Sequence, residues 1–247
     1  MEGIRLYKIK RYFKDNVEEL NDLVVVEYPI NIFINNEFYI TLMCLPTNIV
    51  ELIYGFLFFD GIIDTKEDVK DIIINKQNAF INLNRSIGKI NIKRVLTTGC
   101  GQGSIHIDYI YRKQLNILKH NVEMDYQSIL KVMKKFNEES NMFKQTGGVH
   151  SAALCDNDII FRVDDIGRHN AVDKVIGFGI LNDINFQDKS LLITGRISSD
   201  MLIKAAKAKI PLVISHSAPT NMAIDLAKTL NIRLVGFVRG EKMNIYT

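Results

Sequence analysis

The stretch that decides the fold runs from Leu191 to Asn221 and reads Leu-Leu-Ile-Thr-Gly-Arg-Ile-Ser-Ser-Asp-Met-Leu-Ile-Lys-Ala-Ala-Lys-Ala-Lys-Ile-Pro-Leu-Val-Ile-Ser-His-Ser-Ala-Pro-Thr-Asn. The apolar runs near 192 and 213 predict strands, and residues 199–209 between them predict a helix that Ser198 or Ser199 caps. Further helices are predicted over 170–180 and 221–230, with a third strand near 235. Strand-helix units of this length indicate parallel strands joined by right-handed crossovers.

Five polar clusters interrupt the otherwise apolar second half of the chain, and most of them follow a predicted strand. The carboxyl ends of strands are where open α/β sheets hold their ligands. Because Arg168, Arg196 and Arg239 lie beside glycines and predicted helix N-termini, we expect an anionic ligand, with a phosphorylated molecule as the leading candidate. The clusters are Gln145–Ser151, Asp164–Lys174, Thr194–Asp200, Ser215–Asn221 and Gly236–Gly240.

Each cluster also has a purely structural interpretation, since Gly and Asn commonly serve turn geometry. His150 could be a loop histidine with ordinary hydrogen-bond partners, and His169 could simply bond Asp165 or Asp173. Asp173 and Lys174 are expected to form an exposed helix pair. We favour one shared site over five independent loops, because the clusters together carry three arginines and three of the five histidines.

The first third of the chain has a shorter hydrophobic period and predicts a hairpin across Asn35 and Asn36. Asn48 and Glu51 resemble a capping box, which would begin a helix that ends at Asp60–Gly61. Further strands are predicted over 23–26, 72–74, 79–81 and 90–95, and an amphipathic helix over 129–136. We therefore predict an α/β protein with a smaller N-terminal α+β region, residues 1–110, and a layered α/β/α domain, residues 111–247.

Composition excludes several classes of protein. A hydrophobic fraction of 47% and a charged fraction of 24% are ordinary for a soluble globular protein. A net charge of +3, spread evenly, argues against a nucleic-acid partner. The longest uncharged stretch, residues 38–50, is too short and too polar to cross a bilayer, and residues 1–10 lack the apolar core of a signal peptide. We expect a cytoplasmic protein that binds neither nucleic acid nor membrane.

Three cysteines without paired spacing suit a reducing compartment. Cys44 and Cys155 lie in apolar runs and are expected to be small buried residues. Cys100 differs, because its loop Gly99-Cys-Gly-Gln-Gly103 exposes backbone N–H groups and two basic residues lie just upstream, which favours the reactive thiolate. The residues around Cys100 leave open whether this cysteine is reactive or structural. The His-x-Glu and Pro-Cys-x-x-Cys elements of zinc deaminases are absent from the sequence, so we expect no zinc.

Taken in order along the chain, these motifs resemble the formate dehydrogenase accessory sulfurtransferase family, FdhD. The resemblance covers nearly the whole chain, and it implies a cytoplasmic, homodimeric sulfur carrier. It also implies a C-terminal half similar to the cytidine deaminase fold without the deaminase zinc ligands. The segments that carry it are Tyr54–Leu57, Asp60–Ile63, Thr146–Leu154, Asp165–Lys174, Thr194–Met201, Ser217–Thr220 and Gly236–Arg239.

Family members take sulfane sulfur from a cysteine desulfurase as a cysteine persulfide. The resemblance implies that they pass it to the molybdenum (or tungsten) bis(molybdopterin guanine dinucleotide) cofactor of formate dehydrogenase. Cys100 matches the first position of the family's Cys-x-x-Cys loop, where this chain has Gly103 at the second. Alternatively, Cys100 matches the second position, with Thr97 at the first. In either alignment a transfer step through an internal disulfide of this loop is excluded.

The resemblance assigns the segment 237–242 to cofactor binding. The three arginines would lie on phosphate oxygens, and the histidines of the first two clusters would bond the cofactor or shuttle protons. The residues that we expect to contact the cofactor are Gly148, His150, Arg168, His169, Asn170, Arg196, Ser198, Phe237, Val238, Arg239, Gly240, Glu241 and Lys242.

Two rival functions remain. The first is a chaperone that binds and inserts the guanylated cofactor without moving sulfur, which the missing second cysteine favours. The second is a nucleotide-processing enzyme on a deaminase-like scaffold, which would turn over free nucleosides or nucleotides. The absence of zinc ligands in the sequence weighs against the second.

Overall fold

The structure, a computed structural model, describes residues 3–84, 115, 117–119 and 125–247. The predicted strand over 90–95, the Cys100 loop and the boundary after residue 110 lie outside these residues, so that division stays a prediction. The strands are β1 Ile4–Phe13, β2 Asn16–Val25, β3 Tyr28–Ile34, β4 Glu37–Cys44, β5 Val69–Asn75, β6 Asn78–Leu83, β7 His150–Cys155, β8 Ile159–Asp165, β9 Ser190–Ile193, β10 Leu212–Ser215, β11 Arg233–Arg239 and β12 Lys242–Ile245. The helices are α1 Ile49–Asp60, α2 Tyr126–Glu138, α3 Asn141–Thr146, α4 Arg168–Leu181, α5 Ser199–Lys207 and α6 Asn221–Leu230, with 3-10 turns at Lys66–Asp68 and Phe186–Asp188.

The N-terminal part contains two sheets. Strands β1 and β2 form a two-stranded antiparallel ribbon, of which the sequence predicted only the end of β2. A four-stranded sheet follows in the order β4-β3-β6-β5, and α1 covers one of its faces. Its predicted hairpin is confirmed: Asn35 and Asn36 both have left-handed backbones, with φ of 49° and 68°. That geometry is the one a two-residue turn needs to match the twist of the strands.

The predicted capping box at the start of α1 is wrong. Asn48 precedes the helix with a left-handed backbone, φ 53°, instead of the extended one that a capping box requires. Its side-chain amide therefore donates to the Glu51 carboxylate at 3.1 Å, and no backbone N–H bonds to it. The predicted end of the helix is confirmed, since Gly61 has a φ of 75° and donates its N–H to the last turn.

The second part of the chain is built on a six-stranded sheet in the order β12-β11-β10-β9-β7-β8. Strands β9, β10 and β11 are parallel, as predicted. The flanking strands β7, β8 and β12 pair antiparallel and were not predicted from the sequence. The helices predicted over 170–180, 199–209 and 221–230 are confirmed within two residues at each end, and the helix predicted over 129–136 is confirmed as α2, which begins three residues earlier and ends two residues later.

Helices cover both faces of this sheet, which confirms the predicted α/β/α layering. Successive residues of a strand point to opposite faces, so the buried strands need apolar side chains at every position. Leu191 and Ile193 pack with α4, α5 and α6, whereas Leu192 between them packs with α2 on the other side. This explains why β9 and β10 read as unbroken apolar runs instead of an alternating pattern.

Helices α1 and α4 join the two parts of the molecule through a contact of backbone against backbone. A Cβ built at Gly55 would lie 1.8 Å from the carbonyl oxygen of Asp173, and one built at Gly177 would lie 1.8 Å from that of Glu51. Only hydrogen fits at either position. The four-stranded sheet is thereby held against the α/β part through α1.

The expectation of an exposed pair at Asp173 and Lys174 is wrong, because both residues are buried in the middle of α4. The helix packs against the sheet on one side and against α1 on the other, which leaves its middle turns no solvent face. Each residue forms a buried ion pair with a more distant partner. Asp173 pairs with Lys204 of α5, and Lys174 pairs with Asp165 at the end of β8.

We expect Gly177→Ala to destabilise the protein by about 3 kcal/mol or more, because the added methyl group collides with backbone that cannot turn aside. Gly179→Ala is the control and should destabilise the protein less. Its Cβ would lie 2.2 Å from the ring of Phe186, which is a side chain that can rotate away. Urea unfolding followed by circular dichroism compares the two. Equal losses would contradict the close packing of α1 and α4.

Lys174→Met should cost about 3–5 kcal/mol, because it leaves Asp165 buried without its cation. Lys135→Met removes an ion pair of similar length, to Asp158, in which both side chains are exposed, and should cost no more than about 1 kcal/mol. The same unfolding measurement tests both. A small loss for Lys174→Met would mean that the other donors around Asp165 suffice.

Candidate functional site

The structure brings the five polar clusters to one edge of the six-stranded sheet. Strands β9 and β10 end there at Ile193 and Ser215. Strand β7 runs antiparallel to β9, so its first residue, His150, lies at the same edge, opposite Asp165 at the end of β8. We call this edge the rim, and define it as residues 148–151, 165–170, 194–200, 215–221 and 236–242.

The first three clusters are in direct contact. The N–H of Ser151 donates to Thr194 Oγ1 at 3.0 Å, and the N–H of Thr194 donates to the carbonyl of Ser151 at 3.1 Å. Gly195 lies against two predicted site residues: a Cβ there would be 3.2 Å from Cδ of Arg168 and 3.5 Å from Nδ1 of His150. The absence of a side chain at Gly195 therefore lets these two residues approach each other.

The remaining clusters continue the same chain of contacts. Ser215 Oγ donates to the carbonyl of Gly195 at 2.7 Å, which joins the third cluster to the fourth. The N–H of Phe237 donates to the carbonyl of Ser217 at 3.1 Å, and Arg239 Nε donates to that of His216 at 3.0 Å. All five clusters are thus linked to their neighbours by short contacts into one continuous surface.

Three helices begin at this rim. Thr220 caps α6, since its hydroxyl accepts from the N–H of Ala223 at 3.3 Å. Ser198 occupies the corresponding position before α5 but does not cap it, and its buried Oγ has no hydrogen-bond partner within the described part of the chain. Helix N-termini carry partial positive charge and unbonded N–H groups, so their convergence favours an anion.

The histidines of the rim are held neutral. Burial, and after it the positive charge of Arg168, lowers the pKa of His150. Burial, followed by the charges of Lys204 and Arg168, lowers the pKa of His169 to about 3. The positive charges of the rim at neutral pH are therefore those of its arginines and Lys242, and His169 offers an uncharged imidazole for hydrogen bonding.

A buried hydrogen-bond centre at Asp165 fixes the start of α4. Its carboxylate accepts from the N–H groups of Leu45 and Gly167, at 3.1 and 2.9 Å, and pairs with Lys174 at 2.6 Å. It also accepts from the amide of Asn170 at 3.0 Å, and the same Nδ2 donates to the carbonyl of Met43 at 2.7 Å. Both amide hydrogens of Asn170 are therefore used in bonds within the protein. These bonds fix the position of Arg168 and His169, which precede Asn170.

Lys204 supports the rim from behind and was not predicted from the sequence. It is buried in α5, pairs with Asp173, and its Nζ lies 4.0 Å from the ring centroid of Phe59. The signal in the sequence was its helical spacing from Met201 and Ala208, which puts a lysine on the apolar face of α5. After burial, the charge of Lys204 is the next cause that lowers the pKa of His169.

The last predicted segment forms the β11–β12 hairpin. Its register shifts between Gly236 and Arg239, and Phe237 within the shift has a left-handed backbone, φ 52°. An open depression of about 300 Å³ lies here, lined by Phe237, Arg239, Lys242 and Asn244. The side chain of Val238 points away from the depression into the core, so only its backbone can contact a ligand. The turn residues Gly240 and Glu241 are exposed.

Other predicted site residues differ in their surroundings. Arg196 is exposed at the rim. Gly148 is exposed as well, and a Cβ there would lie 2.8 Å from a methyl group of Val25 at the end of β2. Cys44 and Cys155 are fully buried, which confirms their structural interpretation. Cys100 lies outside the described residues.

No group of three or more His, Cys, Asp or Glu side chains in the described part of the chain is arranged to hold a metal ion. Among the helices that the structure describes, none combines the length and the apolar character needed to cross a membrane.

The sequence is similar to several proteins named sulfur carrier protein FdhD. One from Bacillus pumilus is 40% identical, with 92% of this chain and 88% of that protein covered. One from Listeria monocytogenes is 36% identical, with 100% and 98% covered. A crystal structure from Desulfotalea psychrophila, provisionally described as a formate dehydrogenase accessory protein, matches with a TM-score of 0.81 at 25% identity, and covers 99% of this chain and 97% of that one.

The profile of the FdhD/NarQ family matches residues 25–247, which include every strand and helix after the N-terminal ribbon. Five of the seven segments that suggested this family converge at the rim, and the relatives extend over nearly the whole chain. The chain belongs to the FdhD/NarQ family.

Proposed function

We propose that this chain is a sulfur carrier in formate dehydrogenase maturation, with Cys100 as its persulfide residue. The observation that carries the proposal is the convergence of five of the family motifs at one rim that carries three arginines, on a chain whose relatives are named sulfur carriers. Membership of the family alone would leave open where an acceptor binds. The rim supplies a surface with the chemistry of a phosphate-rich ligand.

In the first step the Cys100 thiolate attacks the outer sulfur of a persulfide on a cysteine desulfurase. A new S–S bond forms on Cys100, the S–S bond of the donor breaks, and the desulfurase leaves as a thiolate. No net oxidation or reduction occurs.

In the second step the outer sulfur passes to the molybdenum (or tungsten) bis(molybdopterin guanine dinucleotide) of formate dehydrogenase, which is the acceptor substrate. The S–S bond of the persulfide breaks and Cys100 leaves as a thiolate. The two electrons that convert the sulfane sulfur into a sulfido ligand come from the metal centre. The chain therefore acts as a sulfurtransferase without a redox partner of its own.

The rim fits the phosphates of such an acceptor. Arg168 lies at Gly195, Arg239 lies at the exposed hairpin, and Arg196 is exposed between them. Guanidinium groups bind phosphate oxygens in a fixed, two-pronged geometry. The uncapped Ser198 hydroxyl and the N-terminus of α5 add further donors beside Arg196.

The buried cysteines cannot replace the second thiol of the loop. Cys44 and Cys155 are fully buried, and burial raises the pKa of both thiols, that of Cys44 to about 12. A protonated, inaccessible thiol neither attacks a persulfide nor forms a disulfide. Neither of these thiols can therefore resolve the persulfide on Cys100, which depends on an external acceptor.

The proposed setting is a reducing cytoplasm, where a persulfide and free thiols persist. The proposed partners are a cysteine desulfurase and the catalytic subunit of formate dehydrogenase, and the proposed assembly is a homodimer. A cofactor-binding chaperone that moves no sulfur is the second candidate. Glycine at position 103, in place of a second cysteine, favours it.

We expect incubation with a cysteine desulfurase and cysteine to add one sulfur atom to the wild type, as measured by intact-protein mass spectrometry, and a reductant should remove it. Cys100→Ala should gain none. Cys44→Ala and Cys155→Ala are the controls and should gain the sulfur normally, because their thiols are buried. If the wild type gains no sulfur while it still binds nucleotide, the chaperone is the better explanation.

We expect GDP to bind the wild type, and Arg196→Ala or Arg239→Ala to weaken binding about tenfold or more, since a hydrogen bond to a charged group is worth about 1.5–3 kcal/mol. Arg233→Ala is the matched control, because Arg233 begins the same strand that Arg239 ends and so lies at the opposite edge of the sheet. Isothermal titration calorimetry at fixed salt compares them. Equal weakening by all three variants would indicate a general charge effect instead of a site.

A further inference from the structure

The four-stranded sheet buries one of its faces under α1 and presents the other to solvent. Apolar side chains such as Ile32 fill the covered face. We call the face opposite α1 the open face. It is crossed by one row of large apolar side chains, one from each strand, which we call the ring row: Phe38 on β4, Phe33 on β3, Phe80 on β6 and Ile73 on β5.

The members of the ring row pack against each other. The ring centroids of Phe33 and Phe80 lie 4.9 Å apart in a stacked arrangement, and Phe38 meets Phe33 edge-on at 5.6 Å. None of the four belongs to the hydrophobic cores that the described residues form. At the two ends of the row Phe38 is 50% exposed and Ile73 is 58% exposed. An ordered, uncovered apolar row of this kind marks an interaction site, because little side-chain freedom is lost when it binds.

The rows beside the ring row are almost without charge. On one side the Thr41 hydroxyl donates to Asn31 Oδ1 at 2.7 Å, and Asn31 Nδ2 donates to Asn78 Oδ1 at 2.9 Å. On the other side the amide of Asn82 donates to the carboxylate of Asp71 at 2.8 Å. Aromatic side chains with few charges are typical of the centre of a protein–protein interface. These rows also lack the cations that a nucleic acid would need.

The open face is too small to hold a permanent partner by itself. Strands lie about 4.8 Å apart, and successive side chains on one face lie about 6.7 Å apart along a strand, so three rows on four strands cover about 200–400 Å². A stable complex buries about 800 Å² on each partner. A partner confined to this face therefore dissociates readily, unless a second contact supports it.

The rim supplies a second contact, because it adjoins the open face at the end of β4. The side chain of Met43 points onto the open face, since Leu42 and Cys44 on either side of it are buried under α1. The carbonyl of Met43 accepts from Asn170 of the rim at 2.7 Å. The ring row lies two side chains further along β4, about 15 Å from this contact. A protein whose bound cofactor reaches the rim therefore has the open face within reach.

We propose that the open face binds the catalytic subunit of formate dehydrogenase while the cofactor of that subunit lies at the rim. This inference rests on the proposed function, which makes that subunit the acceptor. The subunit contributes an uncharged, apolar patch beside the opening to its cofactor. Once the cofactor engages the rim, the contact at the open face forms within the same complex, so the two weak contacts support each other. When the cofactor leaves the rim, the open face alone is too small to retain the subunit.

The apolar contact is tested with Phe38→Thr/Ile73→Thr, which keeps residues suited to a strand. Its dissociation constant for the purified catalytic subunit that carries the unsulfurated cofactor should rise about tenfold or more, as for truncated contacts at the centre of an interface. Biolayer interferometry measures this constant. The control is Ile74→Thr/Ile160→Thr, which should bind as the wild type does. Ile74 is 41% exposed but faces Ala79 on the α1 side of the same strand, and Ile160 is 38% exposed on β8.

A second variant, Thr41→Lys, leaves the ring row intact and adds a charge next to it. It should weaken binding as well, because the complex would bury an unpaired cation. Thr229→Lys is its control, since Thr229 is also exposed and also donates one hydrogen bond, but lies at the end of α6 away from the rim. Circular dichroism and GDP binding should be unchanged in all four variants, which shows that the fold and the rim are intact.

Unchanged binding by both open-face variants, or a wild type that does not bind the subunit, would overturn the proposal. Loss of sulfur loading from the desulfurase, with binding to the subunit unchanged, would assign the open face to the donor instead. A changed mass of the unbound variants in light scattering, again with normal subunit binding, would assign it to a second copy. Binding is measured on protein that carries no persulfide, so a wild type that gains no sulfur refutes the sulfur-carrier role and leaves the open face to be judged by the variants.

Discussion

The buried ion pair between Asp165 and Lys174 is the interaction on which the rest of the structure depends. It joins the end of a strand, the first turns of α4 and, through the N–H of Leu45, the segment that leads into α1. Two buried charges are costly to desolvate, and the extra hydrogen bonds from Gly167 and Asn170 are what make such a pair tolerable. The same bonds fix the backbone that carries Arg168 and His169.

Close packing and electrostatics act together around α4. Glycines at 55 and 177 let α1 approach until backbones touch, which leaves no space for water between the helices. Polar side chains in the middle of α4 must then find partners inside the protein, as Asp173 does with Lys204. Burial lowers the pKa of His169, and the charge of Lys204 lowers it further. The close packing around α4 therefore contributes to the neutral state of His169 at the rim.

The rim combines rigid and exposed parts. Its supports, Asp165 and Lys204, are buried, whereas Arg196 and the β11–β12 turn face solvent. A rigid floor with exposed cationic side chains suits a large anionic ligand that must enter and leave, because the charges are preorganised and the approach is open. Such a surface also suits a ligand that remains partly held by another protein during transfer.

The sequence by itself determined the parallel strands, their helices, the Asn35–Asn36 turn and the family, because these depend on local periodicity, capping and motif order. It also named the residues that line the rim. Only the tertiary structure decided the burial of Asp173 and Lys174 and the internal use of Asn170, since these follow from which helices meet. It also decided the antiparallel strands at both edges of the sheet and the exposed ribbon, because strand pairing and solvent exposure depend on residues distant in the chain.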